Sequence, residues 1–61
     1  MKRKALVQHL SDYKCQLFRE GKKHSVFCNP VSNKTSTIPR HREIDDFLAK
    51  KICRDLGIPE P

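Results

Sequence analysis

Between Glu43 and Gly57 the apolar residues Ile44, Phe47, Leu48, Ile52 and Leu56 fall at i, i+3, i+4, i+8 and i+12, the spacing that lines them along one face of an α-helix. The charges agree in sense. Glu43, Asp45 and Asp46 sit in the first turns and Lys50, Lys51 and Arg54 toward the end, which complements the helix dipole. Gly57 and Pro59 mark the stop. A helix with one apolar face has to bury it against another element, so the rest of the chain must supply a surface.

From about Lys2 to Asp12, Leu6, Val7 and Leu10 share one helical face, predicting a first helix. The pattern then shifts toward period two. Over Cys15–Glu20, Cys15 and Leu17 fall on one side and Gln16 and Phe18 on the other, before Gly21 turns the chain. A second strand is expected over Lys23–Cys28. The turn formers of Asn29-Pro30-Val31-Ser32-Asn33 connect it to a third, Thr35–Ile38, which Pro39 ends. The order is αβββα, an α+β class. Both helices can cover one face of a three-stranded antiparallel sheet and leave the other open for a ligand.

Sixty-one residues leave room for one domain, residues 1–61, and a domain this short buries only about 60% of the surface its unfolded chain exposes. A binding partner is one way to support it. The apolar content, 36%, is low but arranged in short periodic groups, which favours a compact fold over disorder.

Thirteen Lys and Arg against seven Asp and Glu give a formal charge of +6. Such a balance suits a polyanion, because cations that neutralise phosphates release condensed counterions. Cys15, Cys28 and Cys53 are odd in number and contain no C-x-x-C pair, so they fit neither a disulfide framework nor a zinc ribbon. They read as small apolar filler in a cytoplasmic protein. The basic start Met1-Lys2-Arg3-Lys4 leads into an amphipathic stretch broken by Gln8 and His9 rather than a secretory apolar region. No apolar run approaches the ~20 residues of a membrane span.

Three stretches together resemble the HicA family: Leu17-Phe18-Arg19-Glu20-Gly21 continuing through Lys22-Lys23-His24-Ser25-Val26-Phe27; Ile38-Pro39-Arg40-His41-Arg42-Glu43-Ile44; and Leu48-Ala49-Lys50-Lys51-Ile52-Cys53-Arg54-Asp55-Leu56-Gly57. The most informative part is Gly21 with His24 and Phe27. In this family the first histidine after the glycine turn is catalytic, and His24 holds that position. The resemblance implies a fold like the double-stranded-RNA-binding domain, cleavage of mRNA without need of the ribosome, and neutralisation by a HicB antitoxin that covers the active site. Lys14 departs from the pattern, since relatives usually carry glycine between the first helix and first strand.

The residues themselves suit such chemistry. RNA carries its own nucleophile, the 2′-hydroxyl, so cleavage needs a base, an acid for the leaving 5′-oxygen, and positive charge at the phosphate. Histidine titrates near neutrality and needs no metal or other cofactor for this. Lys22, Lys23 and Arg19 neighbour His24 in sequence and would draw a phosphate to it; Arg40 is a further candidate RNA contact. His41, between Arg40 and Arg42, reads as a solvated or helix-entry residue and His9 as solvated. Lys50, Lys51 and Arg54 read either as a phosphate-binding helix or as a solvated face. Phe18 or Val26 could stack unpaired bases if it faces outward. A non-catalytic RNA-binding module of the same fold is the alternative function. A DNA-binding role ranks last, because the predicted strands separate the two helices and no helix-turn-helix spacing is visible.

Overall fold

A computed structural model describes residues 1–61. The chain runs α1 (Arg3–Asp12), β1 (Gln16–Glu20), β2 (His24–Asn29), β3 (Lys34–Pro39) and α2 (Asp46–Leu56), the expected αβββα order. The strands form one antiparallel sheet in the order β1-β2-β3. Along β2, Ser25, Phe27 and Asn29 are buried, and His24, Val26 and Cys28 are exposed or half-buried. Leu6 and Leu10 of α1 and Ala49, Ile52, Cys53 and Leu56 of α2 join Phe27 and Ile38 in one apolar cluster. Both helices therefore cover the same side of the sheet, and the side carrying His24 is open.

The period-two pattern of β1 does not survive intact. Gln16 pairs with Cys28 and Leu17 with Phe27, but the register then shifts, and Arg19 pairs with Val26 and Glu20 with Ser25. Phe18 is the extra residue of a β-bulge, which explains its 68% exposure. Because residues paired across a ladder share a face, the bulge moves Arg19 to the open side and Glu20 to the helix side. Without it each would face the other way.

The second helix starts three residues later than its apolar spacing suggests. Glu43 forms an isolated antiparallel bridge with Lys2, and the Ile44 N–H donates to the Met1 carbonyl at 2.7 Å, so residues 43–45 are held extended. Phe47 is correspondingly off the buried stripe. At about 100° per residue it lies roughly 200° round from Ala49, and it is 77% exposed. The other end matches the expectation. Gly57 adopts φ 72°, and the Gly57 and Ile58 N–H groups donate to Arg54 and Cys53 carbonyls. The Asn29 side-chain amide and Ser32 hydroxyl both donate to the Leu56 carbonyl, at 2.8 and 3.0 Å, fastening the β2–β3 turn to the end of α2.

Lys14, the departure noted above, has φ 67°. Its Cβ crowds the backbone there at a cost of about 1 kcal/mol. Lys14→Gly is therefore expected to raise the melting temperature by a few degrees, since 1 kcal/mol is worth about 4–8 °C in a domain this small. A lower melting temperature in a thermal scan would show that backbone entropy outweighs the relieved strain.

Candidate active site

His24 opens β2 on the uncovered face, exposed, and pairs with Pro39 of β3. The turn before it is tight. The Gly21 N–H donates to the His24 carbonyl at 2.8 Å, and a Cβ on Gly21 would sit 3.0 Å from that same oxygen. Any larger residue at 21 presses on the strand end that carries the imidazole.

Lys22 and Lys23 occupy the turn between Gly21 and His24, both exposed. Arg40 arrives from the edge of the sheet opposite β1, directly after β3. Its N–H donates to the Lys23 carbonyl at 3.3 Å, and its guanidinium lies 3.4 Å from both the Gly21 carbonyl and the Glu20 carboxylate. That ion pair is half-exposed and worth at most about 1 kcal/mol, but it fixes where Arg40 stands. Arg19 lies one ladder step farther in, on the open face by virtue of the bulge. Lys22, Lys23, His24 and Arg40 thus meet at one end of the sheet, with Arg19 behind them.

Behind His24 stands a network that the sequence alone did not single out. Ser25 is fully buried; its hydroxyl accepts from Arg3 Nη2 at 2.9 Å and donates to Glu20 Oε1 at 2.6 Å. Arg3 Nε also donates to the Pro39 carbonyl at 3.1 Å. One guanidinium from α1 therefore ties together β2 beside His24, the end of β3 and, through Ser25, β1. Taking part of a guanidinium out of water is tolerated when its N–H groups find acceptors in this way.

The remaining candidates separate. His41 is exposed in the segment leading to α2. His9 differs from its expectation as a solvated residue: it is half-buried, Nε2 lies 2.8 Å from the Pro59 carbonyl, and its ring centroid is 5.1 Å from that of Tyr13. Lys51 pairs with Asp55 at 2.9 Å and Arg54 with Glu60 at 3.9 Å, on a helix covering the side of the sheet opposite His24. The hydrogen bond from Lys51 and the lesser one from Ser36 hold the Asp55 carboxyl below its ordinary pKa. Val26 is half-buried on the open face, and Phe18 projects from the bulge.

Cys15 and Cys53 are packed in the core, where burial pushes their thiols up, whereas Cys28 is half-exposed on the open face. No three His, Cys, Asp or Glu side chains converge as a metal site would require. No helix is long and apolar enough to cross a membrane.

No curated protein and no solved structure matches the chain significantly. A family model does, over residues 3–58, and it takes in Gly21, His24 and the Arg40 segment. That match covers nearly all of the αβββα fold, and the chain accordingly belongs to the HicA family, toxins of bacterial toxin–antitoxin pairs.

Proposed function

We propose that this toxin is a cytoplasmic endoribonuclease that cleaves mRNA through His24, and that a HicB-type antitoxin silences it by covering the open sheet face. The observation that supports the reading is that an exposed His24 opens β2 at the sheet end where Lys22, Lys23 and Arg40 also stand. A phosphodiester drawn to those cations would be delivered to the end of the sheet that carries the ring.

The reaction is a transesterification. A base takes the 2′-hydroxyl proton, the 2′-oxygen attacks phosphorus, and the P–O5′ bond breaks as an acid protonates the departing 5′-oxygen. His24 serves as the proton-transfer group. Lys22, Lys23, Arg19 and Arg40 hold the phosphate and offset its developing charge. The network of Arg3, Ser25 and Glu20 keeps the strand ends in register without touching RNA.

Because RNA brings its own nucleophile, no bound metal is needed to generate one. Cleavage of a defined RNA is expected to proceed in EDTA and to leave 2′,3′-cyclic phosphate or 3′-phosphate ends. Fragments ending in 3′-hydroxyl would rule this mechanism out, because they require an attacking water rather than the 2′-hydroxyl.

A further inference from the structure

A second basic surface lies away from His24. One face of α1 and the segment after β3 line an open groove of about 920 Å³ whose cations are Lys2, Arg3, Lys4 and Arg42. Val7 is its one apolar lining residue, and no carboxylate lines it. The Arg3 N–H donates to the Arg42 carbonyl at 2.9 Å, which locks the two walls together. Lys2, Lys4 and Arg42 are exposed, whereas Arg3 is half-buried and engaged with Ser25 and Pro39.

The groove is connected to the sheet end that bears His24 in two ways. Arg3 spans them directly, reaching from the groove to Ser25, the neighbour of His24. Arg40-His41-Arg42 spans them along the chain, with Arg40 against the Gly21 turn and Arg42 in the groove wall. Cations therefore continue from Lys22 and Lys23 through Arg40 and Arg42 to Lys2 and Lys4.

We infer that this groove is a second phosphate-binding subsite, which holds the RNA backbone beyond the scissile bond. The inference rests on the ribonuclease reading of His24. A protein partner would look for apolar anchors at the centre of its interface, and this surface offers almost none. An RNA backbone needs a concave run of cations with neutral hydrogen-bonding groups, and Gln8 and Ser11 supply the latter. Gln8 already donates to Asp12 at 3.0 Å and Arg3 to Ser25 and Pro39, so Ser11, Lys2, Lys4 and Arg42 are the free contacts.

The test compares the parent chain with Lys2→Ala/Lys4→Ala/Arg42→Ala, which spares Arg3. A second triple variant, Lys34→Ala/Lys50→Ala/Arg54→Ala, removes equal charge elsewhere. Binding is measured against salt with 2′-O-methyl RNA, which cannot be cleaved through its 2′-oxygen and is long enough to cover the 27 Å length of the molecule. Each single-strand phosphate contact contributes roughly 0.7 to the log–log slope, so the groove variant should flatten it by about 2. The control variant should leave it nearly unchanged, and cleavage of a dinucleotide, too short to reach the groove, should match the parent.

An unchanged slope in the groove variant overturns the subsite. So does an equal flattening in the control, which would make the effect one of net charge. Weakened capture of the antitoxin with unaltered RNA binding would reassign the groove to a protein. Binding of long RNA that responds as expected, with no cleavage of any RNA by the parent, would retain the groove as an RNA site and sink the ribonuclease reading instead. A parent chain that binds no RNA would sink both.

Discussion

Replacing His24 with alanine is expected to lower the rate of RNA cleavage by roughly 10²–10⁴-fold, the usual contribution of a positioned proton-transfer group. Binding should hardly change, because Lys22, Lys23 and Arg40 remain and none of them depends on the imidazole for its position. Arg40 is fixed by Gly21, Lys23 and Glu20. His24 is exposed at a strand end, where truncation to alanine costs little stability, and its carbonyl still accepts from Gly21. The variant should therefore fold, capture its antitoxin and fail to arrest growth. Single-turnover cleavage beside a binding isotherm separates the two effects. Cleavage at nearly the parent rate by the folded variant would make His24 a surface histidine and leave a module that binds RNA without cutting it.

The parts of this site that were legible in the sequence are those set by local rules. Gly21 announced a turn, the strand expected from Lys23 carried His24 near its start, and Ile52 and Leu56 fixed the buried face of α2. What was not legible depends on contacts between distant residues. The apolar spacing that starts at Ile44 looked helical from Glu43 onward, but the bridge from Lys2 to Glu43 holds residues 43–45 extended and the helix begins at Asp46. Strict alternation along β1 would have put Arg19 with Leu17, under the helices. The bulge at Phe18 reverses this, and nothing in Leu17-Phe18-Arg19 signals it. Arg3 was one of three adjacent cations, and only the crossing of α1 over the ends of β2 and β3 singles it out as the half-buried one that holds Ser25.

Ile52→Ala is expected to unfold the free toxin at growth temperature and to leave it rescuable by its antitoxin. Ile52 is 1% exposed within the cluster shared by both helices and the sheet. Removing three carbons from such a site costs about 2–5 kcal/mol, because the cavity collapses only in part. Native domains hold about 0.05–0.15 kcal/mol per residue, so 61 residues carry roughly 3–9 kcal/mol in all. The loss is of the same order as the whole. A partner that binds only the folded state adds stability by mass action, about 2.7 kcal/mol at a hundred times its Kd, enough to offset a loss at the lower end of that range. The melting temperature of the variant should therefore be far below that of the parent and should climb with antitoxin concentration. Ile52 packs on the side of the sheet away from His24, so the substitution should leave intact the open face that the antitoxin is proposed to cover. A variant that melts with the parent would show that the cluster is not the core on which this fold depends. A variant whose melting point stays low at saturating antitoxin would show that the partner does not select the folded sheet, and the covering of His24 by the antitoxin would fall with it.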